Sequence, residues 1–286
     1  MNLQLSFTKM HGIGNDYIYI NGFTQAIPAP QALAVRLSDR HRSIGGDGII
    51  LVLPSDCGAD ARMRIFNADG SEGKMCGNGI RCVGKYVYEK GICRKDILHI
   101  QTESGVKTLY LTVQQGRVMQ VRVDMGAPIL TPAQIPFRFD GERAVRVPIC
   151  VAGQSYQATC VSMGNPHMVL FMNGIDALNL PKIGPAFEKH PAFPEQVNTE
   201  FVEVVAQNHL RMRVWERGSG ETMACGTGAC AVAVASVLCG YADRGLPITV
   251  DLRGGTLCIL WDEQTVWMQG PAAIAFEGTV EVEEEA

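Results

Sequence analysis

Apolar residues alternate with polar ones along 106–113 (Val-Lys-Thr-Leu-Tyr-Leu-Thr-Val) and 117–124 (Arg-Val-Met-Gln-Val-Arg-Val-Asp), the period-two signature of strands with one face in a core. Most of the chain between its glycine-rich landmarks reads this way, so sheet dominates the predicted structure. Helical spacing marks three other segments, 31–40, 79–90 closed by Gly91, and 228–238 closed by Gly240. Glycine just past a last turn suits a left-handed cap. A short helix and loop are expected within 182–194, and the proline-rich stretch 125–136 separates two halves. Residues 229–238 (Ala-Cys-Ala-Val-Ala-Val-Ala-Ser-Val-Leu) have almost no polar face. A helix apolar all round must be enclosed on every side, which predicts a curved sheet wrapped around it.

The halves are related. At an offset of 149, Arg64-Ile-Phe-Asn-Ala-Asp-Gly-Ser-Glu-Gly-Lys-Met-Cys76-Gly-Asn-Gly79 lies without gaps over Arg213-Val-Trp-Glu-Arg-Gly-Ser-Gly-Glu-Thr-Met-Ala-Cys225-Gly-Thr-Gly228. Arg, Glu, Cys and both following glycines coincide. Gly91 and Gly240 follow at the same offset, while Gly14-Asn15 matches Gly164-Asn165, and Gly105 matches Gly255, at 150. Matches that keep their order and spacing indicate duplication. The expected organisation is an N-terminal half of 1–125 plus 275–286 carrying Cys76, and a C-terminal half of 126–274 carrying Cys225. The acidic end, 280–286, reads as a strand tail or a solvated terminus.

Composition narrows the function. The chain has 286 residues, 47% hydrophobic and 19% charged, with a net charge of −4, and is long enough for two cores. Its Lys and Arg are scattered rather than striped, which argues against nucleic acid as a partner. No apolar run reaches the ~18 residues of a membrane-spanning helix, nor does the N-terminus resemble a secretory signal. A cytoplasmic protein with its ten cysteines reduced is therefore expected.

In each half a cysteine opens a Cys-Gly-x-Gly turn leading into a helix, where amide donors and the positive dipole end gather. That location is expected to lower a thiol pKa, and the glycines let backbone amides approach an anion. A single such cysteine is more often a buried thiol beside a turn; the pairing changes the reading. Two equivalent turns facing across a cleft would offer one carboxylate ligand two sulfurs and two helix ends. Inverting a carbon that carries hydrogen needs one group to remove the proton and another to return one on the opposite face. No cofactor is called for. Zinc is not expected either, because neither half has a Cys-x-x-Cys knuckle. The other eight cysteines are expected to be small buried hydrophobes.

Seven motifs, Met10-His-Gly-Ile-Gly-Asn-Asp16, Gly45-Gly-Asp47, Phe66-Asn-Ala-Asp-Gly-Ser-Glu72, Met75-Cys-Gly-Asn-Gly79, Met163-Gly-Asn-Pro-His167, Trp215-Glu-Arg-Gly218 and Ala224-Cys-Gly-Thr-Gly228, resemble those of the diaminopimelate epimerases. The resemblance implies an α/β (α+β) fold of two pseudo-symmetric domains, each a curved, mostly antiparallel sheet or barrel around a central helix, with the active site between them. It also implies a homodimer and cofactor-independent interconversion of LL- and meso-diaminopimelate, feeding lysine and peptidoglycan synthesis. Cys76 and Cys225 would be the acid/base pair. Asn15, Asn67, Asn165, Asn198, Glu216, Arg217 and the amides of Gly77, Asn78, Gly226 and Thr227 would bind substrate, and His167 and Glu216 would tune the thiols. At Gly48 some members have a glutamine that contacts substrate. Three alternatives stand beside this reading: a proline or hydroxyproline racemase, whose cyclic imino acid would offer Arg217 nothing to hold; a non-catalytic amino-acid-binding module, which solvent-hydrogen exchange would eliminate; and a thiol redox sensor.

Overall fold

The computed structural model describes residues 2–283; the last three residues of the acidic tail lie outside the described part. Contacts divide the chain into two compact units, 1–123 with 270–286, and 124–269. Strands and helices are numbered along the chain. The first unit contains β1 (Asn2–Gly12), β2 (Asn15–Asn21), α1 (Pro30–Ser38), β3 (Gly48–Leu53), β4 (Ala61–Asn67), β5 (Glu72–Gly73), α2 (Gly77–Glu89), β6 (Ile97–Thr102), β7 (Gly105–Gln114), β8 (Arg117–Asp124) and the returning β18 (Ala273–Glu283). The second contains β9 (Val147–Val151), β10 (Gln154–Ser162), β11 (Pro166–Phe171), α3 (Leu180–Glu188), β12 (Asn198–Ala206), β13 (His209–Glu216), β14 (Gly220–Glu221), α4 (Gly226–Leu238), β15 (Ile248–Leu252), β16 (Gly255–Trp261) and β17 (Val266–Gly270).

Both units follow one topology. In the first, strands run β18-β1-β2-β3-β4-β6-β7-β8, antiparallel except for β2–β3 and β4–β6. In the second they run β9-β10-β11-β12-β13-β15-β16-β17, with β11–β12 and β13–β15 the parallel pairs. A parallel pair requires a crossover, and the helices occupy these connections: α1 and α3 in the first of each unit, α2 and α4 in the second. The coincident Arg and Glu of the repeat also do the same work twice. Arg64 donates Nε and Nη2 to Glu72 at 2.7 and 2.8 Å, and Arg213 makes the same fork to Glu221 at 2.8 and 3.1 Å.

Each sheet lies between two helices. Helix α4 touches β10, β11, β12, β15 and β16, with buried residues around its whole circumference, as its lack of a polar face requires; α3 covers β12 and β13 from elsewhere. The strands between the helices, β2 and β3 in one unit and β11 and β12 in the other, are accordingly buried on both faces along most of their length. One departure from strict alternation has a local cause. Met119 is an extra residue in β8, since Thr112 pairs with Gln120 and Val113 with Val118. That bulge turns both Val118 and Val121 inward while Met119 stays 49% exposed.

Candidate active site

Cys76 and Cys225 are the N-cap residues of α2 and α4, each extended in backbone, with φ of −134° and −121°. Each sulfur accepts the amide hydrogen of the glycine three residues on, Gly79 at 3.3 Å and Gly228 at 3.4 Å. The first intrahelical bonds run from Ile80 to Cys76 and from Ala229 to Cys225. The amides of Gly77, Asn78, Gly226 and Thr227 therefore precede the hydrogen-bonded ladder, where an anion is favoured. Glycine at the third helical position leaves room for its neighbours. A Cβ on Gly79 would meet Ile50 at 2.7 Å, and one on Gly228 would meet Glu200 Oε1 at 2.8 Å and Cys225 Sγ at 3.2 Å.

The two thiols differ in surroundings. Cys76 is half-buried and donates to Asn15 Oδ1 at 3.3 Å. The Asn15 amide is itself oriented, because its Nδ2 donates to Asp47 Oδ2 at 2.7 Å, and Asp47 also accepts from the amide of Asp16 and from Arg40. Cys225 is only 5% exposed. Burial, then the carboxylates of Glu216 and Glu200, push its thiol well above the ordinary range, outweighing the Thr227 hydroxyl and the Gly228 amide. The helix terminus was expected to lower this pKa; inside the protein, desolvation and two acidic neighbours outweigh it. Glu216 is also raised, by burial, against hydrogen bonds from Thr222 and from Cys225 itself.

His167 is fully buried on β11, with Nδ1 2.6 Å from Glu200 Oε1 and Nε2 3.1 Å from Asn165 Oδ1. The parallel register pairs His167 with Asn198, so Glu200, two residues on, shares its face of the sheet. Asn198 accepts the Arg217 amide at 2.9 Å, and the Arg217 guanidinium donates to the Glu195 carbonyl at 2.9 Å. Asn67 closes a turn with Ser71. At Gly48 a Cβ would fall 2.1 Å from the Phe66 carbonyl oxygen, so the backbone here leaves no room for a side chain. Thus the second unit gathers Asn165, His167, Asn198, Glu216, Arg217, Cys225, Gly226 and Thr227, while in the first Asn15 meets Cys76 beside Gly77 and Asn78, and the Asn67 side chain is engaged by Ser71.

Sequence reasoning assigned no role to Glu200, to Asp47 or to Glu188, a buried carboxylate that accepts from Trp215 Nε1 at 2.7 Å and from the Gly218 amide at 3.0 Å. Along the chain nothing distinguishes Glu200 from Glu203 on the same strand; in the fold Glu200 meets His167 and Glu203 meets Arg211. The expectation that all eight remaining cysteines are core residues also needs correction: Cys82, Cys160 and Cys230 are buried, but Cys57 and Cys150 are exposed, because each sits on a loop or the outward side of a strand. No helix among the described residues is long and apolar enough to cross a membrane.

A duplicated unit with a thiol capping its enclosed helix places the chain in a fold class shared by several solved proteins. A probable proline racemase from Agrobacterium radiobacter superimposes with a TM-score of 0.75 at 16% identity, covering 98% of this chain and 93% of its own. A phenazine biosynthesis protein of the PhzF family from Bacillus anthracis does so with 0.69 at 16% identity, covering 97% and 99%. Sequence is more specific. The family model for diaminopimelate epimerase matches residues 7–131 and 159–275. The diaminopimelate epimerase of Desulfovibrio desulfuricans is 57% identical, covering 97% of this chain and 99% of its own, and that of Acetivibrio thermocellus is 52% identical, covering 98% and 100%. The chain belongs to the diaminopimelate epimerase family, a family of isomerases.

Proposed function

We propose that the chain interconverts LL- and meso-diaminopimelate by two-base proton transfer at the α-carbon, within lysine and peptidoglycan synthesis, each unit acting as one epimerase half. The observation that carries this is the repeated cap: Cys76 and Cys225, each bonded to the amide of a glycine three residues on, in a chain of this family. One cysteine takes the α-proton as its S–H bond forms, the carbanion's charge spreads into the carboxylate, and the other thiol gives its proton to the opposite face. Amides of Gly77, Asn78, Gly226 and Thr227 would stabilise the charge growing on the carboxylate.

For reaction in either direction one cysteine begins as the thiolate and the other as the thiol, and the reverse reaction exchanges the roles. Arg217 would pair with a substrate carboxylate and Glu216 with an ammonium, while Asn15, Asn67, Asn165 and Asn198 can donate or accept. His167 and Glu216 tune the thiols. A cytoplasmic homodimer acting on a small molecule, with neither nucleic acid nor membrane as partner, completes the reading.

Proton NMR of LL-diaminopimelate in deuterium oxide with reductant tests it. The wild-type chain should exchange the α-proton and yield the meso isomer, whereas Cys76→Ala and Cys225→Ala should not turn over. Absence of exchange with folded, reduced wild-type protein would overturn the substrate assignment.

A further inference from the structure

Four hydrogen-bond contacts in the second unit form a chain. Glu200 Oε1 lies 2.6 Å from His167 Nδ1, His167 Nε2 lies 3.1 Å from Asn165 Oδ1, Asn165 Nδ2 donates to Thr227 Oγ1 at 3.3 Å, and Thr227 Oγ1 lies 3.5 Å from Cys225 Sγ. The chain also bends back on itself. The space beside Gly228 that a Cβ would fill is bordered by Glu200 Oε1 and Cys225 Sγ, which puts carboxylate and sulfur within about 6 Å of each other, close enough for charge to act directly. The other carboxylate oxygen, Glu200 Oε2, is buried and has no hydrogen-bond partner among the described residues. An arrangement that leaves a buried oxygen unsatisfied costs stability, so Glu200 is not placed here for stability alone.

Donor directions along the chain are linked. Asn165 Nδ2 donates to Thr227, so its Oδ1 faces His167 and must receive a hydrogen from Nε2. The Glu200–His167 pair therefore holds one proton on Nε2 and a second between Nδ1 and Oε1. The Thr227 oxygen accepts from Asn165, which leaves its own hydrogen for Cys225 Sγ, where it would stabilise a thiolate as Cys225 gives up its proton. We propose that Glu200 is a positioning residue for Cys225: its carboxylate, acting through His167, sets the direction of the Asn165 amide and the Thr227 hydroxyl so that the hydroxyl donates to the sulfur. A neutral amide at 200 presents a donor or an acceptor with equal ease and leaves that direction unset. The inference rests on reading Cys225 as an acid/base residue.

Other charged and titratable groups face this pair and must stay constant in any comparison: Glu216 from β13 against Cys225, and Cys160 from β10 against Glu200. The test follows alkylation of Cys225 by iodoacetamide against pH, read on its own peptide by mass spectrometry, in a Cys76→Ala background. Thr227→Val, close in shape, should raise the midpoint by about one pH unit, the worth of one lost hydrogen bond to the thiolate. Glu200→Gln on its own supplies the reference midpoint for the double variant, because the pair it replaces, with two protons shared between carboxylate and imidazole, carries no net charge to lose. In the Glu200→Gln chain, the added effect of Thr227→Val should shrink to less than half, and Glu200→Asp, which keeps the charge, should preserve it. A Thr227→Val midpoint that falls or stays put would overturn the proposal, as would a full effect persisting with glutamine at 200. Thr227→Val alone tests the donor direction even if no chain with glutamine at 200 folds. Failure of the underlying reading looks different: Cys225→Ala would still convert LL- into meso-diaminopimelate, whatever the midpoints do.

Discussion

Gly228→Ala separates the stability of α4 from the placement of its capping sulfur. The new methyl would stand 2.8 Å from Glu200 Oε1, 3.2 Å from Cys225 Sγ and 3.2 Å from its Cβ, and neither neighbour can retreat freely. Glu200 is fully buried with its oxygen held by His167, and Cys225 is tied to the helix it caps. Overpacking of this kind costs ~1–3 kcal/mol, offset by up to ~1 kcal/mol from replacing a helical glycine by alanine. A net loss of roughly 1–2 kcal/mol follows, or about 3–6 °C in Tm. Activity should suffer far more, since misplacing a reacting group by an ångström costs about a hundredfold. Gly84→Ala is the control, because a Cβ there meets only the far ends of Leu109, Leu111 and Val121, the first at 2.7 Å. It should lose comparable stability yet keep kcat within about threefold. Thermal melts and α-proton exchange on both variants decide the matter. A Gly228→Ala enzyme with near wild-type kcat would refute the claim that this glycine exists to seat the sulfur and carboxylate.

Two further predictions concern groups outside the reacting pair. Burial pushes the Cys82 thiol up from 9.0 to about 11, so the unfolded chain loses that proton first and stability falls as pH rises from 9 to 11. The loss should reach about 2–3 kcal/mol, seen as a steeper decline of Tm with pH in wild type than in Cys82→Ala under reductant; parallel slopes would contradict it. Glu188→Ala removes the acceptor of both Trp215 Nε1 and the Gly218 amide, which should cost about 2–3 kcal/mol. Because Arg217 adjoins that loop, KM should rise more than kcat falls, and an unchanged KM would show that Glu188 is only structural.

Much of this protein could be read from the chain. The offset of 149 announced two like units, and the polar-free run 229–238 required a helix enclosed by sheet, because apolar surface on every side of a helix has to be buried. The Cys-Gly-x-Gly turns marked both capping cysteines, since chemistry at a helix terminus needs a particular residue at a particular step. What the sequence could not express is the outcome of competition between environments. Cys76 and Cys225 occupy equivalent turns, yet only the fold decides that two carboxylates and near-complete burial surround Cys225, overriding the dipole that both share. Glu200 is one acidic residue in a strand; it becomes a partner of His167 because β11 and β12 pair in parallel and place the two on one face beneath α4. Asp47 likewise orients Asn15 across 32 positions of chain. Local pattern determines which elements form and which face they bury. Long-range pairing alone determines which charges meet inside, where low polarity makes each meeting count.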